Sequence, residues 1–141
     1  MYGSNFSIGV NIFFEVNRFL AKMMNAQPQY EPTLNEVHHT QKLDAPSGTG
    51  ITLAEGVLSE IERKANWVNR NSETETELTL TSERIDKVPG THEIVYKSEI
   101  DTIEIKHTAH SREGFAKGAI LAAKWLINKK GVFTMQEMLF E

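Results

Sequence analysis

Residues 30–65 constrain the fold more tightly than any other stretch of the chain. From Tyr30 to His38 the pattern alternates, with Leu34, Glu36 and His38 on one side and Asn35, Val37 and His39 on the other, as a strand requires. Pro32 is tolerated near its start or at an edge. Asp44, Pro46 and Gly48 break regular structure over 40–48. From about 49 to 65, Leu53, Val57, Leu58, Ile61 and Ala65 recur at helical spacing, opposite Glu60, Glu62, Arg63 and Lys64. A strand that passes through a tight loop into an amphipathic helix buries both apolar faces by laying helix on sheet.

The flanking segments extend this unit. Residues 1–7 read as a turn with cap residues, leading into a helix over 8–25. Its apolar stripe is Ile8, Ile12, Val16, Phe19, Leu20 and Met23, and Asn25 and Pro28 stop it. Residues 66–74 are polar and turn-like, and the Thr-rich alternation over 74–81 predicts a strand. Val88-Pro89-Gly90 predicts a turn, and 91–98 with 101–109 a hairpin. Ser111 opens a third helix whose sheet-facing side is Phe115, Ala119, Ala122, Ala123 and Leu126; Lys129, Lys130 and Gly131 end it. Thr134-Met135-Gln136-Glu137 is a capping-box pattern before a last short helix. The expected architecture is α+β: one domain over 1–141, a mainly antiparallel or mixed sheet of about four strands, and two long helices on one face.

Composition removes several function classes. A net charge of −4 argues against a broad nucleic-acid surface, although a local basic pocket is compatible with it. The absence of cysteine excludes disulfides and thiolate metal sites and fits a cytoplasmic location. No apolar run approaches the roughly 20 residues of a membrane span, and residues 1–15 lack the features of a signal peptide.

Chemistry concentrates in 36–50. Ser47-Gly48-Thr49-Gly50 opens a helix and leaves backbone N–H groups at the positive end of its dipole, which suits a carboxylate or phosphate; a plain cap accounts for the pattern equally well. It is neither a dinucleotide fingerprint, since position 53 is Leu53, nor a P-loop. His38 or His39 suits proton transfer, or both are ordinary strand-end histidines. A zinc site would draw further ligands from Asp44, His107 or His110, but adjacent strand histidines point apart. Lys42 suits a bound carboxylate or a proton donor, and Asp44 could orient it. Arg112 in the first turn of the third helix is a cation placed against the dipole, and so a modest ligand-binding candidate. Together these groups describe a pocket for a small anion that is protonated.

The run Glu36-Val37-His38-His39, Lys42, Asp44-Ala45-Pro46-Ser47-Gly48-Thr49 resembles the signature of the dihydrodipicolinate (4-hydroxy-tetrahydrodipicolinate) reductases of lysine and diaminopimelate biosynthesis. Ser4-Asn5-Phe6-Ser7-Ile8-Gly9-Val10-Asn11 and His107-Thr108-Ala109-His110-Ser111-Arg112 resemble other segments of that family, in the same order. The resemblance implies reduction of a cyclic C=N bond by NADH or NADPH, with His38 as acid–base residue and Lys42 as proton donor to the ring nitrogen. It implies that His39 and the turn Ser47, Gly48, Thr49 bind a small dicarboxylate, and that Ser4, Asn5 and Phe6 line the nicotinamide side. It implies a homotetramer and no resident metal. The family's glycine-rich Rossmann unit has no counterpart in 1–141, so the expectation is a C-terminal substrate-binding and tetramerisation domain that binds the dinucleotide poorly and is nearly inactive alone. Two other classes compete with this reading: a self-associating structural module, and a histidine-based zinc domain.

Overall fold

The computed structural model describes residues 1–140. In chain order the elements are α1 (Ile8–Asn25), β1 (Glu31–His38), α2 (Gly48–Leu58), β2 (Asn66–Val68), β3 (Glu77–Arg84), β4 (Thr91–Lys97), β5 (Thr102–Thr108), α3 (Glu113–Trp125) and α4 (Met135–Phe140). The strands form one mixed sheet in the order β2-β3-β1-β4-β5. β1 is central, parallel to β3 and antiparallel to β4. The α+β class holds, with five strands rather than about four.

The extra strand lies where a polar turn was expected. β2 is three residues long and pairs parallel to β3, Trp67 opposite Leu78. Three residues are too few to display a period. β3 runs from 77 rather than 74, because the buried Lys64 ammonium draws the Glu75 and Glu77 carbonyls into a turn at 2.8 and 3.1 Å. α2 ends at Leu58, seven residues early. Beyond it Arg63 reaches back to the Met24, Asn25 and Tyr30 carbonyls, capping the C-terminal end of α1 with a cation as the dipole favours. Ile61 is still fully buried, from a turn rather than from a helix.

The face of α1 is the larger correction. Of the expected stripe only Leu20 is buried; Ile8, Ile12, Val16, Phe19 and Met23 are exposed, Phe19 by 66%. The buried side carries Val10, Phe13, Phe14, Ala21 and Met24, together with Asn11 and Asn17. Those asparagines make that side look wet in sequence, yet both are committed to backbone. Asn11 Nδ2 donates to the Ser7 carbonyl at 2.8 Å, and Asn17 Nδ2 to the Leu53 carbonyl at 2.9 Å. The core lies between α1, α2 and the inner sheet face, where Leu34, Leu53, Val57, Leu78, Leu80, Ile94 and Tyr96 are almost wholly removed from water.

α3 does not lie on the sheet as expected. Gly118 and Ala122 are its buried residues, while Ala119 and Ala123 are exposed. It seats instead on the segment before α1: a Cβ on Gly118 would fall 1.8 Å from the Phe6 carbonyl oxygen. The capping box before α4 forms reciprocally, Thr134 N–H donating to Glu137 Oε2 at 2.5 Å and Glu137 N–H donating to Thr134 Oγ1 at 3.3 Å.

Candidate functional site

β1 supplies the first part of the site. Its inward side ends in Leu34, Glu36 and His38, all buried. Sheet pairing brings His92 on β4 and Ser82 on β3 into register with Glu36. Glu36 is 1% exposed. Its carboxylate accepts from the Ser47 N–H at 2.9 Å, from Ser47 Oγ, and from Ser82 Oγ at 2.9 Å. His92 Nε2 lies 3.5 Å away and Arg84 Nη2 3.6 Å. Burial opposes ionisation of Glu36, but hydrogen bonds from His92, Ser47 and Ser82 outweigh it and hold the carboxyl down at about 2.

His38 stands beside this carboxylate. Its Nδ1 is buried without a hydrogen-bond partner and lies 3.9 Å from Glu36 Oε2. The ring meets that of His92 edge-to-face with centroids 5.0 Å apart. Burial keeps the imidazole neutral down to about 4; His92, Lys42 and Arg84 act in the same direction and Glu36 against them.

The strand stops at His38, and this decides where His39 goes. An uninterrupted strand would place the two histidines on opposite sides. Instead the chain turns, with Lys42 N–H donating to the His39 carbonyl at 3.1 Å, and both rings line one cleft. His39 Nε2 sits 3.0 Å from Arg112 Nη2, at the entry to α3.

Lys42 is aimed by its neighbours. Its ammonium donates to both oxygens of Asp44 at 2.8 and 2.9 Å, which holds the Asp44 carboxyl below its ordinary range. Arg84 pins the same loop through the Lys42 and Asp44 carbonyls. The Ala45–Pro46 peptide is cis. Ser47 then caps α2, its Oγ accepting from Gly50 N–H at 3.0 Å while donating to Glu36. The Ser47 hydroxyl is thus fully engaged inside the protein. The donors that remain toward the cleft are those of Gly48 and Thr49, the first residues of the helix. Asn5 Nδ2 donates to Thr49 Oγ1 at 3.1 Å, and Ser4 Oγ is 2.8 Å from Thr52 Oγ1, so the segment before α1 is fastened to the start of α2.

These segments enclose a cleft of about 670 Å³. Ser4, Asn5 and Phe6 form one side, His38, His39 and Lys42 a second, and Ser47, Gly48 and Thr49 a third. Arg112, Phe115 and Ala119 complete it from α3. A recess of about 430 Å³ adjoins it at His39 and Arg112 and adds Lys87 and Asp86. The cleft is cationic at its rim and apolar along α3, an arrangement suited to a small planar anion. Among the described residues, Glu36, His38 and His92 are the one group with metal-ligand spacing, their donor atoms lying within 4.8 Å of one another. The Glu36 oxygens there accept hydrogen bonds from Ser47 and Ser82. Of the zinc set drawn from His38 and His39 with Asp44, His107 or His110, only His38 belongs to that group.

Sequence reasoning passed over Glu36 as a hub and missed His92, Ser82 and Arg84. Glu36 and His38 at i and i+2 on one strand face were a usable signal. The other three depend on strand register.

The family described as dihydrodipicolinate reductase, C-terminus, matches residues 9–139. A 4-hydroxy-tetrahydrodipicolinate reductase of Christiangramia forsetii is 49% identical over 99% of this chain and 58% of its own length. One from Methanosarcina barkeri is 36% identical over 96% of this chain and 51% of its own length. The chain therefore spans little more than half the length of these relatives. A solved structure titled dipicolinate-bound dihydrodipicolinate reductase, from Paenisporosarcina sp. TG-14, shares the fold with a TM-score of 0.67 at 23% identity, over 96% of this chain and 52% of that one. Among the described residues, no helix is long and apolar enough to cross a membrane. With the sheet, the cleft and the sequence in agreement, this chain belongs to the dihydrodipicolinate reductase C-terminal family.

Proposed function

We propose that this chain is the substrate-binding and proton-handling part of a 4-hydroxy-tetrahydrodipicolinate reductase. The observation that carries this reading is the single cleft in which 4–6, the 38–49 stretch and the start of α3 at Arg112 meet, three parts of the chain far apart in sequence. The N–H groups of Gly48 and Thr49, at the positive end of α2, take one carboxylate of a flat dicarboxylate. His39 and Arg112 take the other. Lys42, held by Asp44, presents an ammonium to the ring nitrogen, and His38 balances protons at the cleft floor. A bound NADH or NADPH supplies the hydride. Ser4, Asn5 and Phe6, with the apolar edge of α3, form one wall beside the place where such a nicotinamide would lie. The helix start at 47–49 is the anion site of this chain, and it serves the substrate. The chain alone binds dinucleotide weakly and turns over slowly.

The test is calorimetric titration of the chain with pyridine-2,6-dicarboxylate. Detectable binding is expected, weakened about tenfold or more in Lys42→Ala. Heats no larger than dilution would sink the reading and favour a purely structural module. Rapid NAD(P)H oxidation by the chain alone would contradict the half-site view.

Assembly to a homotetramer, as in a cytoplasmic biosynthetic enzyme, belongs to the same proposal. α1 and α2 cover one sheet face, while Thr33, Asn35, Val37, Thr81 and Val95 share the other in register. A monomeric mass by light scattering at micromolar concentration would remove it.

A further inference from the structure

We infer that Glu36 is the positioning residue for His38, fixing its Nδ1–H tautomer and tying the imidazole to the helix start that binds the anion. The inference rests on reading His38 as the proton-handling group of the cleft.

The first observation is the orphan nitrogen. A buried polar atom without a partner is uncommon in folded proteins. Nδ1 of His38 is one, and it faces Glu36 Oε2 at 3.9 Å. The opposite ring edge lies by the backbone of Gly90, where a Cβ would come within 3.2 Å of Nε2. A proton on Nδ1 is attracted to the carboxylate; one on Nε2 would leave two lone-pair-bearing atoms, Nδ1 and Oε2, facing each other in a buried site. With Nδ1 protonated, Nε2 is the ring nitrogen left with the lone pair that can take a proton.

The second observation is the sign of the surroundings. From β4 comes His92, from the 39–44 loop Lys42, and from β3 Arg84; each of these disfavours a charged ring at 38. Glu36 on β1 alone favours it. The carboxylate does not itself relay the proton, because Ser47, Ser82 and His92 keep it ionised. It orients the imidazole and stabilises it when charged, the role a carboxylate plays behind a catalytic histidine in general.

The third observation is that this carboxylate also holds both the N–H and the Oγ of Ser47, the N-cap of α2. One side chain therefore registers the proton-handling ring against the N–H groups at the helix start. A rotation or shift at Glu36 would displace both together.

The test is long-range ¹H–¹⁵N correlation NMR of the ¹⁵N-histidine-labelled chain at pH 7, without ligand. His38 is expected almost wholly as the Nδ1–H tautomer. In Glu36→Gln the Nδ1–H form is expected to fall to a minority, towards the Nε2–H preference of free imidazole. Glu36→Asp keeps the charge and is expected to retain Nδ1–H. Ser82→Ala removes one bond to the carboxylate but not its charge, and is expected to leave the tautomer unchanged. A wild-type His38 in the Nε2–H form overturns the inference with no variant needed, as does a tautomer indifferent to Glu36→Gln. Because the readout needs no ligand, it separates from the functional reading. A chain that fails to bind the dicarboxylate but switches tautomer in Glu36→Gln supports this inference and refutes that reading.

Discussion

Gly118→Ala is expected to destabilise the chain by about 3 kcal/mol and lower its melting temperature by roughly 10 °C. Propensity alone gives the opposite sign, since alanine inside a helix is favoured over glycine by about 1 kcal/mol. Packing decides the outcome. The added Cβ would fall 1.8 Å from the Phe6 carbonyl oxygen and 2.7 Å from its carbon. Both are backbone atoms, so no rotamer relieves the clash. Either α3 lifts or the segment before α1 moves, and that segment carries Asn5, which is bonded to Thr49 at the helix start. A weaker dicarboxylate complex is therefore expected along with the lower melting point. An unchanged or raised melting temperature would show that α3 does not seat on this segment.

Acidification from pH 7 to pH 4 is expected to remove about 3 kcal/mol of stability through His38 alone. The unfolded ring takes a proton below its ordinary value of 6.5, whereas the folded ring resists down to about 4. Between those values the unfolded state binds more protons, so stability is full above 6.5 and declines as pH falls. His107 is also held below its ordinary value by burial and by His92, and adds in the same direction. Glu36 opens a second, lower window. Its folded value of about 2 lies below the ordinary 4.5, so its contribution is present above 4.5 and is lost as pH falls towards 2. Denaturant melts between pH 7.5 and pH 3 measure both windows. His38→Gln is expected to flatten the upper one and spare the lower. An unaltered slope between pH 6.5 and pH 4 in that variant would refute the assignment.

The elements that could be read from sequence were those with long periods or strong punctuation. The α1 boundaries follow from Asn25 and Pro28, β1 from eight alternating residues, and the α4 cap from Thr134 and Glu137. What failed was the choice between two plausible faces. α1 carries apolar residues nearly all round, and the side marked by Asn11 and Asn17 is the buried one because both amides bond backbone. α3 looked like a sheet-packing helix because of its alanines, but Gly118 sets it against the 4–7 segment instead. Its outer face is left exposed at Ile120 and Leu121.

The sequence by itself determined the family, the strand–loop–helix order over 30–65, though not the helix end at Leu58, and the residue types of the cleft, because each is encoded within a short window. Only the tertiary structure decided how those residues act together. The strand ends at His38, so His38 and His39 share a cleft instead of opposing each other. Register with β3 and β4 places Ser82 and His92 around Glu36. That placement turns an unremarked glutamate into the charge at the centre of the site. The physical reason is that a buried carboxylate's state depends on donors brought from three separate segments, the start of α2, β3 and β4, and no local pattern specifies strand register between them.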